Sequence, residues 1–299
     1  MKPINKTIRV FAPASSANLG CGFDVMGMAL DGIGDVLRIA ISEGDGLTIR
    51  NTSAAELPED IEKNVITPAV RAFMAAAGKK ACLEIVVEKK IRPGSGIGSS
   101  AASSAAAVFG LNELYGRPFP LPELVPFAME GEKLISGTAH ADNSAPAVMG
   151  GIVLIRGYQP LDMVRLPVPD SFCFSVIHPH IVVSTKAARD VLRKEIPMRE
   201  AVIQWGNVPL IGRSMRDVVA EPYRKGFIPG YDDLKSACLA AGALCVNISG
   251  SGPSVFALSD SIEKAQQVGK AMKRHFTALR IANDLYVSHI PSVGARVVE

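Results

Sequence analysis

One stretch restricts this chain more than any other: Ile91-Arg-Pro-Gly-Ser-Gly-Ile-Gly-Ser-Ser-Ala-Ala-Ser-Ser-Ala-Ala-Ala-Val108. A strand-like run enters it, three alternate glycines follow at Gly94, Gly96 and Gly98, and two serines then open a helix of small residues. Glycine lets the backbone turn sharply and approach a ligand with no Cβ in the way. The start of a helix leaves several N–H groups without intrahelical partners, and the helix dipole places roughly half a positive charge there. Together these features make an anion site, with phosphate its natural occupant. A plain tight turn, with a small-residue helix packed closely on a sheet, accounts for the same composition and stays open at this point.

The stretch is neither of two common nucleotide loops. G-x-x-x-x-G-K-[ST] is absent and G-x-G-x-x-G does not fit, which disfavours P-loop NTPases and Rossmann dehydrogenases. Ser99 and Ser100 replace the Walker lysine with hydroxyls, which can donate to phosphate or help hold a metal.

Other classes fall away on charge and hydropathy. The 32 basic and 29 acidic side chains leave a formal charge of +3 with no basic run, so nucleic-acid binding is not expected. The longest apolar stretch, Ala145–Ile155, holds two glycines and a proline and is too short to span a bilayer. Five cysteines form no C-x-x-C pair, so neither a zinc site nor a disulfide framework is expected, and Cys21 reads as a small buried thiol. With no signal-peptide pattern at Met1–Lys6, the expected location is the cytoplasm.

At 299 residues the chain has room for two packed domains. Thr7–Ala12, Asp35–Ser42 and Cys82–Glu88 read as strands, from β-branched content and partial alternation. Pro68–Gly78 reads as a helix with Thr67-Pro68 as its start, Ser99–Tyr115 as a long one, and Pro122–Ile135 as a third. Ala243–Ser249 and Ser254–Leu258 read as strands joined by a glycine turn. Asp260 with Glu263 resembles a capping arrangement for a helix whose stripe is Ile262, Ala265, Val268, Met272 and Phe276. The irregular mixture predicts α+β layering, with a boundary near Gly157–Pro169.

Glu132 stands out on its own helix. Val125, Ala128, Glu132 and Ile135 share one face, so a carboxylate interrupts an apolar stripe. Burying that charge is costly unless something pairs with it, and Mg²⁺ would do so. A register shifted by one turn would instead leave Glu132 exposed like Glu130. His178 and His180 share a strand face, but no third ligand accompanies them, which favours a structural role.

Three segments in order carry a family resemblance. Pro93–Ala102 resembles the ATP-phosphate loop of the GHMP kinases. Ala12-Pro-Ala-Ser-Ser-Ala-Asn-Leu-Gly-Cys-Gly-Phe-Asp24 resembles that family's amino-terminal substrate motif. Asn247-Ile-Ser-Gly-Ser-Gly-Pro-Ser254 resembles its carboxy-terminal glycine motif, so the likeness reaches across most of the chain. The resemblance implies an α+β GHMP kinase fold in two domains. Residues 1–162 would form a ribosomal-protein-S5-domain-2-like half with the phosphate loop, and residues 163–299 a ferredoxin-like half. It implies ATP as co-substrate, held by Pro93, Gly94, Ser95, Gly96, Ile97, Gly98, Ser99, Ser100, Ala101 and Ala102. Asn64 is its candidate for contacting the base, with a helix N-cap as the alternative. Mg²⁺ would sit on Glu132 and Ser100.

Within the family, the form S-A-N-L-G-x-G-F-D resembles the branch whose acceptor is L-homoserine, whereas sugar kinases carry an arginine-containing segment there. Gly137–Ala147, Ser184–Arg189 and Glu221–Tyr231 resemble the same branch. Such a substrate offers a carboxylate, for which the resemblance supplies Arg189 and Arg224. It offers an ammonium, for which the resemblance supplies Asp24 and Asn18. His140 reads as a local hydrogen-bonding residue with a minor substrate role open, and neighbouring Asp142 as structural.

The implied reaction moves the γ-phosphoryl group of ATP to the side-chain hydroxyl, giving O-phospho-L-homoserine for threonine biosynthesis. Several relatives place an aspartate near the acceptor hydroxyl, but here the residue is Asn143, and an amide cannot act as the base. Asn143 is therefore expected to orient the hydroxyl, beside Glu132 and Ser100 as the other catalytic candidates. Two rivals remain: a GHMP kinase for another small alcohol, and a non-catalytic ligand sensor on the same fold. Relatives commonly pair, so the resemblance allows a homodimer.

Overall fold

The computed structural model describes residues 6–53, 57–58, 60–136, 139–181, 183, 185–192, 215, 217 and 219–298. Aliphatic and β-branched runs build β1 (Lys6–Ala17), β2 (Met26–Ser42), β3 (Gly46–Asn51) and β4 (Cys82–Glu88). In β4 the alternation is strict: Leu83, Ile85 and Val87 point into the core. These strands, with β5 (Ile152–Tyr158), β6 (Leu161–Leu166) and β11 (Arg296–Val297), form a seven-stranded sheet. Its order is β11-β1-β2-β4-β3, with β5 beside β2 and β6 beyond it; the β3–β4 pair is parallel and the others described are antiparallel. A register shift between Pro13 and Ala14 bends the long β1–β2 ribbon. One half of β2 thereby pairs with β4 and the other with β5.

Helices α2 (Ser99–Leu114) and α4 (Ala141–Met149) pack on this sheet, and α1 (Ile66–Ala76) and α3 (Leu124–Ser136) pack against α2. Every residue from Ala101 to Val108 of α2 is buried, as a helix without a polar face must be when it lies inside the core. Around it pack Val10, Leu37, Ile39, Phe73 and Val125. The expected start of α1 at Thr67-Pro68 comes slightly earlier. The Asn64 side-chain oxygen accepts the Ile66 N–H at 3.0 Å and opens the helix there.

The second sheet holds β7 (Cys173–Pro179), β8 (Cys245–Ile248), β9 (Val255–Ser259) and β10 (Asn283–His289), in the antiparallel order β10-β7-β9-β8. Between its strands run the short α5 (Thr185–Asp190) and α6 (Glu221–Arg224), then α7 (Tyr231–Ala240) and α8 (Ile262–Ala278). With α7 and α8 packed on it, this is the ferredoxin-like βαββαβ arrangement. On α8, Ala265, Val268, Met272 and Phe276 are buried as their spacing requires.

The cap of α8 differs from expectation. Ser261, not Asp260, accepts the backbone N–H of Lys264, because the extended backbone at Ser261 aims its hydroxyl along the helix. Asp260 instead pairs with the Lys264 ammonium at 2.8 Å. The Gly157–Pro169 stretch forms the turn and return strand of the β5–β6 hairpin, and the second sheet begins at Cys173. After β10 the chain returns to the first sheet, where β11 pairs with β1. Among the described residues, no helix is long and apolar enough to cross a membrane.

Candidate active site

A cavity of about 340 Å³ opens where the two sheets meet, and the glycine–serine stretch forms one wall of it. The loop leaves β4, passes Pro93, Gly94, Gly96 and Gly98 along the cavity, and enters α2 at Ser99. Gly98 caps α2 in the left-handed conformation, φ +65°, and having no side chain it cannot occupy the first-turn N–H groups itself. The helix therefore presents its positive end to the cavity, as an anion site requires.

Two close approaches fix the loop from behind. A Cβ on Gly98 would lie 2.0 Å from the Ser15 Oγ, and one on Gly96 would lie 2.4 Å from the Gly252 carbonyl oxygen. Ser249 donates to the Gly96 carbonyl at 2.8 Å and Ser254 to the Ser95 carbonyl at 2.6 Å. The carboxy-terminal glycine motif thus clamps the loop from the second sheet. Ser95, Ile97, Ala101 and Ala102, expected among the ATP contacts, are buried and do not line the cavity. Ile97 and Ala102 pack instead into the apolar cluster of Ala14, Leu19 and Met28.

Glu132 meets the end of this loop, the Ser100 hydroxyl donating to the Glu132 carboxylate. The apolar stripe of α3 has the register read from sequence, with Val125 and Ala128 fully buried. Burial pushes the Glu132 carboxyl above its usual range, while the Ser100 hydroxyl and the Lys89 ammonium pull it back. A carboxylate and a hydroxyl are hard oxygen donors. They fit Mg²⁺, which is held by one or two carboxylates and takes its other ligands from phosphate and water.

Lys89 was not singled out by sequence reading, yet it lines the same cavity. It continues the inward face of β4 two residues after Val87, so a lysine in a buried register was the available signal. Its ammonium pairs with Asp35, donates to the Ser99 carbonyl at 2.6 Å and to the Ser103 hydroxyl at 2.9 Å. Burial pulls its pKa down, and Asp35 first and Glu132 after it hold it up.

Another wall carries the amino-acid candidates. Asn18 and Asp24 both adopt positive φ, 73° and 58°, in the turn between β1 and β2. The Asn18 side chain bridges that turn: its oxygen accepts the Asp24 N–H at 3.0 Å and its amide donates to the Gly250 carbonyl at 3.3 Å. The Asn18 oxygen is thus engaged in holding Asp24. The Asp24 carboxylate lies 3.9 Å from His140 Nδ1. The Asp24 carbonyl accepts the Tyr158 hydroxyl at 2.8 Å, a contact that spans 134 residues of sequence.

Asn143 reaches the cavity from α4, and its side-chain oxygen accepts the Ser15 hydroxyl at 2.8 Å. That bond turns its NH₂ group away from Ser15, as a donor. Arg224 on α6 is 4 % exposed yet lines the cavity. Its guanidinium donates to the Ala188 carbonyl at 2.8 Å and the Gly250 carbonyl at 2.9 Å, and stacks 5.4 Å from the Phe23 ring. Asn64 also lines the cavity, with its oxygen already accepting the Ile66 N–H. The backbone of Arg189 lies in α5, and its side chain lies outside the described residues.

His180 pairs with Asp284 at 2.8 Å, and among the described residues no group of three His, Cys, Asp or Glu could hold a metal. All five cysteines are free, and burial pushes the Cys21 thiol up to about 11, which makes it a poor nucleophile.

Comparison with known proteins agrees in both halves. The family model "GHMP kinases N terminal domain" matches residues 64–151, and "GHMP kinases C terminal" matches residues 198–278. A homoserine kinase of Chlorobium phaeovibrioides is 44% identical, with 98% of this chain and 100% of that protein covered. The crystal structure of homoserine kinase from Cytophaga hutchinsonii superposes with a TM-score of 0.93 at 46% identity, covering 100% of this chain and 99% of that one. Mevalonate kinase of L. major, at 19% identity and a TM-score of 0.69 over 98% of this chain and 99% of its own, shares the fold.

Proposed function

The chain belongs to the GHMP kinase family, and from that premise we propose that it transfers the γ-phosphoryl group of ATP to the side-chain hydroxyl of L-homoserine. The products are ADP and O-phospho-L-homoserine, and the step serves threonine biosynthesis. One observation carries this reading: the phosphate loop, the Glu132–Ser100 pair and the Asn18–Asp24–Arg224 group line a single cavity.

Phosphoryl transfer asks mainly for positioning and charge neutralisation, because its transition state is loose. Backbone N–H groups at the start of α2 cradle the phosphates. Glu132 and Ser100 would hold Mg²⁺, which when bound would supply neutralisation of phosphate charge. Arg224 and Arg189 take the substrate carboxylate, and Asp24, held by Asn18 and Tyr158, takes the ammonium. Asn143, its oxygen engaged by Ser15, presents an N–H to the acceptor oxygen and orients it. With an amide at position 143, the hydroxyl proton is inferred to leave without a strong protein base there.

We further propose that the enzyme works in the cytoplasm, consistent with its free thiols, and as a homodimer. Residues 1–162 and 163–299 approximate its two folding units, with β11 returned from the second to the first.

A coupled ADP-release assay tests the function. The acceptors are L-homoserine, D-homoserine, L-serine, L-threonine, mevalonate and galactose, each with ATP, with and without Mg²⁺. Turnover on L-homoserine alone, lost on chelation, is the expected result. Turnover on another acceptor keeps the kinase and moves the substrate, and silence across the panel with ATP still bound revives the ligand sensor.

A further inference from the structure

Beneath the phosphate loop lies a buried polar knot that the reaction as derived above does not use. Its centre is Lys89, whose side chain is 3% exposed, paired with Asp35, whose side chain is 0% exposed. An ammonium has three N–H donors, and here three acceptors meet them: Asp35, the Ser99 carbonyl and the Ser103 hydroxyl. Ser103 donates its own hydroxyl to the same Asp35 oxygen at 2.7 Å, closing a ring. The other Asp35 oxygen accepts the backbone N–H groups of Lys90 at 3.1 Å and Ile91 at 3.3 Å. Ser99 donates its hydroxyl to the Ile91 carbonyl at 3.3 Å.

The placement of these bonds matters more than their number. Residue 91 is where the chain enters the loop and Ser99 is where it leaves, so the knot ties both ends of the loop to one carboxylate on β2. A buried ion pair is costly to desolvate, and an apolar pair of similar volume often serves stability as well or better. Stability alone therefore does not account for charge at this position. Nor is Lys89 arranged as a direct phosphate ligand, since its three donors are already engaged with the protein.

We propose that Lys89, anchored by Asp35, is a positioning residue for the phosphate loop. It fixes the separation of the loop's two ends and holds the Ser99 carbonyl inward, so that the first N–H groups of α2 face the nucleotide. It does so without touching the nucleotide itself. This rests on the reading that the loop holds ATP phosphates.

The test is ADP binding by calorimetry in EDTA, with the melting temperature and the two KM values measured alongside. The main variant is Lys89→Met/Asp35→Leu, which removes both buried charges together and keeps the volume. ADP affinity is expected to fall roughly tenfold or more, the scale of one lost charge-assisted contact. KM for ATP should rise in parallel and KM for L-homoserine should stay within about twofold, while the melting temperature falls by what the unpaired Lys90 and Ile91 N–H groups cost. A folded double variant that binds ADP as the parent does overturns the proposal, and so does one whose KM for homoserine moves as much as that for ATP. If the double variant does not fold, Ser103→Ala decides, because it deletes only the hydroxyl bridging Lys89 and Asp35. Weaker ADP binding at an unchanged homoserine KM then supports the proposal, and unchanged ADP binding overturns it. A parent protein that binds no ADP would instead refute the underlying nucleotide reading.

Discussion

Gly94 and Gly96 provide a matched pair of perturbations on the phosphate loop. Both are left-handed, with φ of +74° and +77°, so alanine at either position suffers the same backbone strain, about 1–2 kcal/mol. Their surroundings differ. A Cβ on Gly94 meets nothing within 4 Å, whereas one on Gly96 meets the Gly252 oxygen at 2.4 Å, the Gly252 carbon at 2.7 Å and the Ser249 oxygen at 2.9 Å. All three are backbone atoms and cannot rotate aside, so the loop and the carboxy-terminal glycine motif must separate. Separation strains or breaks the Ser249–Gly96 and Ser254–Ser95 hydrogen bonds. Overpacking costs about 1–3 kcal/mol and the loss of one of these two bonds about 1 kcal/mol, so Gly96→Ala should be less stable than Gly94→Ala by about 2–4 kcal/mol. Differential scanning calorimetry of both variants, with and without ADP, would show this as a melting temperature lower by several degrees. KM for ATP should rise further for Gly96→Ala. Equal melting temperatures and equal KM values would refute the argument that the two halves clamp the loop by direct backbone contact.

The site supports further predictions. Asn143→Asp should not raise kcat, and a gain near the roughly 100-fold that a general base supplies would refute the base-free reading. Arg224→Lys keeps the charge but loses the planar fork, and KM for L-homoserine should rise about 10- to 100-fold with ADP binding intact. Arg189→Ala should act on the same KM, and no change in either variant would remove the carboxylate clamp. His178 is buried, and burial first, with the His180 charge second, pulls it down to about 4. Its imidazole stays neutral in the fold while the unfolded chain takes up a proton below about pH 6.5. Stability should therefore fall as pH drops from about 6.5 to 4, by at most about 1.4 kcal/mol per pH unit. Denaturation series at several pH values should show a shallower slope for His178→Gln, and an identical slope would exclude His178 as the source.

What could be read from sequence depended on whether a signal was local. The strict alternation of β4 and the α8 stripe report burial through neighbouring residues, so those elements emerged with little error. The glycine loop was legible because left-handed turns and close backbone approach leave glycine in the sequence. The α8 cap was misplaced by one residue, since Asp260 and Ser261 are both competent caps and only the backbone angles decide. Helix α4 went unread because Pro146 interrupts its pattern. Long-range pairings left no local trace: Ser15 with Asn143, Tyr158 with Asp24, and Lys89 with Asp35 are each set by the fold. Lys89 was the nearest miss, a cation continuing an apolar face. Ser95, Ile97, Ala101 and Ala102 show the converse limit, because a motif marks a segment without saying which of its residues face the cavity.

The return of the chain to the first sheet has a consequence for biosynthesis. Past β10, Pro291 accepts the Gly151 N–H at 2.7 Å, Ala295 donates to Val148 at 3.3 Å, and Val298 donates to Arg9 at 2.9 Å. Gly294 lies so close to α4 that a Cβ there would fall 2.3 Å from the Val148 oxygen. On the ribosome, β1 is made before the whole second sheet, yet its outer edge finds its partner only after β11 has been extruded. Until then that edge is an unpaired strand, the kind of surface to which other chains add. The nascent protein thus stays vulnerable to misassociation while the second sheet is being made, and the sheet begun earlier closes after the one begun later.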